Sequence, residues 1–233
     1  MQKALRYLYD LSGLFFPRLC LACDANLPPN QQFLCLSCQF QLPHTHHHLT
    51  PDNPFAERFW GRVPIRTGAA LFHFDQGGRV QRLIHQLKYK RQSVVGLELG
   101  KMYGRQLAQS SAFQGVNAIV PVPLHPRKQH LRGYNQSERF AQGLSESMGI
   151  PCFPAALQRN AYTETQTAKS RLERMENVMQ AFSLAQAGQI SGRRVLLVDD
   201  VLTTGATLEA CSLALLNCPD VEVCLATIAI ATG

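Results

Sequence analysis

Asp199 and Asp200 stand side by side between an apolar run, Val195-Leu196-Leu197-Val198, and a run of hydroxyl and small residues, Thr203-Thr204-Gly205-Ala206-Thr207. Ionised carboxylates only accept hydrogen bonds, so the pair suits sugar hydroxyls or a hard metal ion and repels a phosphate. The residues that follow have the opposite character. Thr203, Thr204 and Thr207 carry donor hydroxyls, Gly205 lets a ligand approach the backbone, and Leu208 to Leu216 reads as a helix with Leu208, Cys211 and Leu215 on one stripe. The first amides of such a helix lack intrahelical partners and carry partial positive charge, which makes Thr203 to Thr207, Ala206 included, a cradle for phosphate. A buried strand ending in a solvated acidic turn is the plainer alternative. It leaves unexplained why apolar run, acid pair, Thr-Thr-Gly and helix coincide.

A second constellation is Cys20-Leu21-Ala22-Cys23 followed, after eleven residues, by Cys35-Leu36-Ser37-Cys38. Two C-x2-C knuckles supply four thiolates, the donor set of a closed, structural, tetrahedral Zn²⁺. Two disulfides or unconnected thiols are the alternatives, and a reducing compartment favours the metal. His44, His46, His47 and His48 form another group with metal-binding chemistry. They lie in a Pro-, Asn- and Asp-rich stretch, residues 41–64, and read instead as a solvent-exposed loop in a linker. Cys152, Cys211, Cys218 and Cys224 sit in apolar surroundings and read as small buried hydrophobes.

The third constellation runs Pro121-Val122-Pro123-Leu124-His125-Pro126-Arg127-Lys128-Gln129-His130-Leu131-Arg132-Gly133-Tyr134-Asn135-Gln136-Ser137. It is a proline-stiffened loop whose cations, Arg127, Lys128 and Arg132, are suited to a polyvalent anion. Arg79 to Arg139 as a whole carries eleven Lys and Arg against Glu98 and Glu138, which predicts a polyanion partner, pyrophosphate or single-stranded nucleic acid, over a set of merely solvated helix faces.

These groups need elements to hold them. Thr67 to Phe74, Ala118 to Val122, Val195 to Val198 and Val221 to Ile230 read as strands, with helices over Val80 to Leu87, Leu97 to Gln109 and around Phe140, Leu144 and Met148. In an open α/β sheet ligands bind at the carboxyl ends of the strands, where the acid pair and the basic loop both fall. Leu5, Leu8, Leu11 and Leu14 predict a short docking helix that Pro17 ends. The polar segment Arg159 to Arg171 reads as a mobile lid. Prolines 43, 51, 54 and 64 place a boundary near residue 60, dividing the chain into 1–60 (N-terminal helix, zinc knuckles and linker) and 61–233 (the α/β domain). With 45% apolar and 17% charged residues, a net charge of +7 and no run of eighteen uncharged apolar residues, the expectation is a cytoplasmic protein without membrane span or signal peptide.

The stretch from Arg194 to Thr207 resembles the phosphoribosyl pyrophosphate (PRPP) motif of type I phosphoribosyltransferases. That resemblance implies a doubly wound, mainly parallel sheet, with Asp199 and Asp200 on the ribose 2′ and 3′ hydroxyls and Thr203, Thr204, Gly205 and Thr207 on the 5′-phosphate. It also implies Mg²⁺, and a pyrophosphate leaving group drawn off by Arg127, Lys128 and Arg132. The order of zinc knuckles, Leu87-Lys88-Tyr89, Arg132-Gly133-Tyr134-Asn135-Gln136-Ser137, Thr165-Gln166 with Arg171, and Asp-Asp-Thr-Thr-Gly resembles the competence protein F (ComF) family over nearly the whole chain. This implies a role in DNA uptake, with PRPP, single-stranded DNA and other competence proteins as partners, no membrane, and a homodimer among the candidate assemblies. A non-catalytic PRPP sensor and a single-strand-binding competence module are the alternatives to a transferase.

Overall fold

The computed structural model describes residues 17–28, 30–160 and 181–231. The expected N-terminal helix from Leu5 to Leu14 and residues 161–171 of the expected lid lie outside them. In chain order the described elements begin with α1 (Leu36–Gln41), α2 (Pro54–Glu57), β1 (Thr67–Phe74), α3 (Arg79–Tyr89), α4 (Ser93–Ala108) and β2 (Ala118–Pro121). They continue with α5 (Pro126–Arg132), α6 (Gln136–Met148), β3 (Leu157–Arg159), β4 (Phe182–Leu184), β5 (Arg194–Leu202), α7 (Ala206–Leu216) and β6 (Glu222–Ala231). No helix among the described residues is long and apolar enough to cross a membrane.

Four strands form one parallel sheet in the order β1-β6-β5-β2, and β3 pairs antiparallel with β4. Side chains alternate across the sheet. Leu71, Ile119, Leu196, Val198 and Ala226 share a core with α3, α4, α6 and the knuckle residues Cys20, Ala22 and Leu34. Ala70, Val120, Val195, Leu197 and Leu225 share another with Leu208, Cys211 and Leu215 of α7 and with Phe55 and Phe59. Layers on both faces explain the apolar run Val195 to Val198, but β5 is longer than that run: it carries the acid pair within it and ends only at Leu202.

The segment read as a linker is packed. His47 and His48 are buried, His44 is half-buried and His46 alone of the four is exposed, so the expected solvent-exposed histidine loop does not hold for the last pair. Asn53 is the reason. Its Oδ1 accepts from the amides of Phe55 and Ala56 at 3.0 and 3.2 Å, capping α2, while its Nδ2 donates to the carbonyls of Thr50 at 2.9 Å and Gly68 at 3.0 Å. The Asn and Pro content that suggests a loop is here a capped turn tied to β1. Gly68 leaves room for it, since a Cβ there would lie 2.5 Å from the Phe55 ring.

Helices α4 and α6 meet backbone to backbone along glycines. A Cβ at Gly100 would lie 2.3 Å from the carbonyl oxygen of Phe140, and one at Gly143 would lie 2.0 Å from that of Leu97. This close crossing fixes where α6 begins, over the end of β5. Gly143→Ala is therefore expected to cost ~2–3 kcal/mol in urea denaturation, whereas Gly188→Ala, with open space around it, should change stability by less than ~0.5 kcal/mol.

Candidate functional site

Parallel pairing sets the frame. Pro121 of β2 lies opposite Val198 of β5, and the amide of Val122 donates to the Val198 carbonyl at 2.9 Å. The basic loop therefore leaves the sheet beside the acid pair, which lies within β5 directly after Val198, while β5 itself continues along β6 to Leu202. Asn135 then ties the far end of that loop back, donating to the Val122 carbonyl at 3.0 Å and capping α6 at the Ser137 amide at 3.1 Å. Ser137 closes the connection: its hydroxyl donates to Asp199 Oδ1 at 2.8 Å.

The same Asp199 oxygen accepts the Asp200 amide at 2.8 Å. Burial pushes the Asp199 carboxyl up to about 7 and the neighbouring Asp200 charge adds to this, while the Ser137 and Asp200 donors and Lys88 pull it down. Asp200 is 9% exposed, and its Oδ2 is 3.0 Å from Lys88 Nζ, a residue at the end of α3. Asp199 and residues 201–208 line an open cleft of ≈ 230 Å³. Hard oxygen donors of this kind fit a divalent cation such as Mg²⁺ or the paired hydroxyls of a sugar.

Helix α7 opens at Gly205, whose φ of +84° requires a residue without Cβ strain, and no side chain caps it. The hydroxyl of Thr204 only approaches the Ala206 amide, at 3.5 Å. Thr203 and Thr204 are exposed, Ala206 and Thr207 half-buried, and all four line the cleft at the open end of the helix, where an anion is favoured. The former linker braces this loop from behind. Arg58 donates to the Thr203 carbonyl at 2.8 Å and Arg62 to that of Thr204 at 3.2 Å, and a Cβ at Gly205 would lie 3.3 Å from the Phe59 ring. Arg62 also pairs with Glu209, neutralising the one acid in the first turn of α7. Nothing in the types or spacing of Arg58, Phe59 and Arg62 signals this.

The basic loop is partly helical, an outcome the prolines concealed. Pro126 occupies the first turn of α5, where its missing amide costs nothing, and His125 Nδ1 accepts the Arg127 amide at 3.2 Å. Arg127 and Lys128 are exposed. Arg132 donates to Gln136 Oε1 at 2.6 Å and lies 5.6 Å from the centre of the Tyr89 ring. The structure thus joins Asp199, Asp200 and Ser137 directly and brings the cation loop to the same rim. In the sequence Lys88 stands out only as part of Leu87-Lys88-Tyr89, and Ser137 only as the end of the stretch from Arg132.

The four knuckle cysteines converge as their spacing predicts, with all four Sγ atoms within 4.8 Å of one another. The Cys35 amide donates to Cys20 Sγ and the Cys38 amide to Cys35 Sγ, both at 3.4 Å. Burial raises the Cys20 thiol, but the amides of Cys35, Ala22 and Cys23 outweigh it and bring it to about 7. Cys38 is pushed up by burial and by its three thiol neighbours. A cluster of soft donors that cannot all ionise unaided fits a thiophilic metal such as zinc, whose charge lets them do so. It sits in the same core as the sheet.

Residues 135–231 match the phosphoribosyl transferase domain model. The chain is 31% identical over 214 residues to competence protein F of Haemophilus influenzae, covering 85% of this chain and 90% of that one. It is 30% identical over 210 residues to the DNA utilization protein YhgH of Escherichia coli K12, covering 84% and 89%. Among solved structures, a glutamine PRPP amidotransferase from B. subtilis is 26% identical at a TM-score of 0.41, over 60% of this chain and 30% of that one.

The raised Asp199 carboxyl has a consequence for stability. A folded-state value above the unfolded one means that the unfolded chain gives up its proton first, so stability is full below about pH 4 and is lost as pH rises towards 7. Asp199→Asn is therefore expected to gain ~1–3 kcal/mol over the wild type at pH 8, and the gain should vanish at pH 4. Urea denaturation of both proteins at the two pH values checks it, and an equal difference at both would contradict the assignment.

Proposed function

The chain belongs to the competence protein F family, and on that premise we propose that it binds PRPP with Mg²⁺ and transfers the phosphoribosyl group to an acceptor in support of DNA uptake or utilisation. The observation that carries the reading is the Ser137–Asp199 hydrogen bond, which supports treating the cation loop that ends at Ser137 and the acid pair as one site. Asp199 and Asp200 hold the ribose hydroxyls and offer oxygen ligands to Mg²⁺. Thr203, Thr204, Gly205, Ala206 and Thr207 take the 5′-phosphate on hydroxyls and open amides. Arg127, Lys128 and Arg132 face the departing pyrophosphate, whose charge the metal ion would help to neutralise. An oxocarbenium-like sugar forms as that bond breaks, and the two carboxylates stabilise it by position and charge. In this reading Cys20, Cys23, Cys35 and Cys38 hold a structural Zn²⁺, residues 1–60 act as the accessory segment of a transferase-like domain spanning 61–233, and the protein works in the reducing cytoplasm, with a homodimer among its candidate assemblies.

Calorimetric titration of PRPP with Mg²⁺ into the wild type and into Asp199→Asn/Asp200→Asn tests this. Micromolar binding by the wild type, weakened at least about 30-fold in the double variant, is expected. No binding by the wild type, or equal binding by both, would sink the proposal. Binding without pyrophosphate release in the presence of nitrogenous acceptors would make the protein a PRPP sensor instead of a transferase.

A second reading, single-stranded DNA binding, is favoured by two aromatic rings. Phe40 on α1 is 85% exposed and Tyr89 at the end of α3 is 63% exposed, both near cations or the knuckles, whereas Tyr134 is half-buried with its hydroxyl bonded to the Leu87 carbonyl. Stacking on such rings adds affinity that salt does not remove. Phe40→Ala and Tyr89→Ala should each weaken binding of a labelled oligothymidylate about tenfold in fluorescence anisotropy while leaving its salt dependence unchanged. Wild-type affinity in both variants would reduce the interaction to charge attraction.

A further inference from the structure

Lys88 belongs by sequence to a knot of surface cations, Lys88-Tyr89-Lys90-Arg91, yet the fold turns it inward. Its Nζ is 3.0 Å from Asp200 Oδ2, and only 21% and 13% of the two side chains remain exposed. The turn of α3 that carries it is fastened to the basic loop at two points. The Tyr134 hydroxyl donates to the Leu87 carbonyl, and the Arg132 guanidinium lies 5.6 Å from the centre of the Tyr89 ring. Arg132 is bonded in turn to Gln136, whose neighbour Ser137 holds Asp199. Acid pair, lysine, helix end and cation loop form a closed circuit.

Adjacent carboxylates withdrawn from water repel each other and require a cation nearby. We propose that Lys88 is that cation in the ligand-free protein, a counter-ion latch on Asp200 that gives way when a divalent metal and a sugar diphosphate arrive together and then contacts the pyrophosphate oxygens. The identity of the anion rests on the PRPP reading above. The side-chain type fits the role: a compact ammonium on a flexible four-carbon stem makes a single contact that can be exchanged, unlike the two-pronged grip of a guanidinium. A free metal ion must compete with Lys88 for Asp200. A metal arriving with a pyrophosphate group supplies the displaced ammonium with a new partner. Metal and anion binding are thereby coupled, each strengthening the other.

The full-length chain with its cysteine site loaded tests this, with Mn²⁺ alone and pyrophosphate as separate probes followed by calorimetry and, for Mn²⁺, electron paramagnetic resonance. Lys88→Met is expected to bind free Mn²⁺ about tenfold more tightly than the wild type and pyrophosphate about tenfold more weakly. Simple structural damage would weaken both, so the opposite signs are the signature. Lys88→Arg, which keeps the charge, should not gain Mn²⁺ affinity. The gain should also disappear when Asp199→Asn and Asp200→Asn are added to Lys88→Met. Unchanged or weaker Mn²⁺ binding in Lys88→Met, or a gain that survives loss of both carboxylates, would overturn the latch. If the wild type binds no PRPP while Lys88→Met still gains Mn²⁺ affinity that depends on the carboxylates, the PRPP reading fails and the counter-ion role stands.

Discussion

The parallel pairing of β2 with β5 is the constraint on which the site depends. Backbone hydrogen bonds of a parallel ladder run strand to strand in one register, so β2 ends at Pro121 opposite Val198, directly before the acid pair, while β5 continues along β6 to Leu202. The strands are buried on both faces along their middles, so charge is kept from there: Arg194 and Glu222 pair at the amino ends of β5 and β6, and the acid pair lies towards the carboxyl end of β5. The acid pair and the cation loop could not be neighbours if either strand were reversed. Sheet topology thus converts two chain segments more than sixty residues apart into one rim.

Electrostatics at that rim is balanced locally. Two carboxylates, one of them with its proton held to about 7, are set against Lys88, two hydrogen-bond donors and a cation-rich loop. Beneath the hydroxyl loop, Arg62 cancels Glu209, so the opening of α7 keeps its positive character. The acid pair and the open helix end lie a few residues apart and attract opposite chemistries, the arrangement a phosphorylated sugar needs, with hydroxyls at one end and phosphate at the other.

The N-terminal part contributes more than a metal knuckle. Its buried cysteines and Leu34 lie in the core that covers one face of the sheet, while Phe55 and Phe59 lie in the core on the other. Arg58 and Arg62 hold the carbonyls of the hydroxyl loop. Damage to this part would therefore reach the hydroxyl loop through packing and through the bonds to its carbonyls.

The sequence alone determined the parts in which chemistry is local. Val195 to Val198 fits a strand covered on both sides, a helix is legible from Leu208 to Leu216, and two C-x2-C pairs predict four converging thiols, because each pattern rests on residues close by in the chain. The bounds of β1, β2 and β6 were legible to within a residue for the same reason, whereas β5 runs four residues past its apolar run, through the acid pair to Leu202, because β6 continues to pair with it. What only the tertiary structure decided were contacts made across the fold. Composition marked residues 41–64 as a linker because Pro and Asn break elements, yet Asn53 spends its amide on β1 and a cap. Lys88 looked like one solvated cation among several, since no spacing rule connects it to a carboxylate 112 positions later. Arg58 and Arg62 gave no signal for the same physical reason: a side chain's partner across a sheet is set by how layers stack, and the sequence carries that information only through the whole fold.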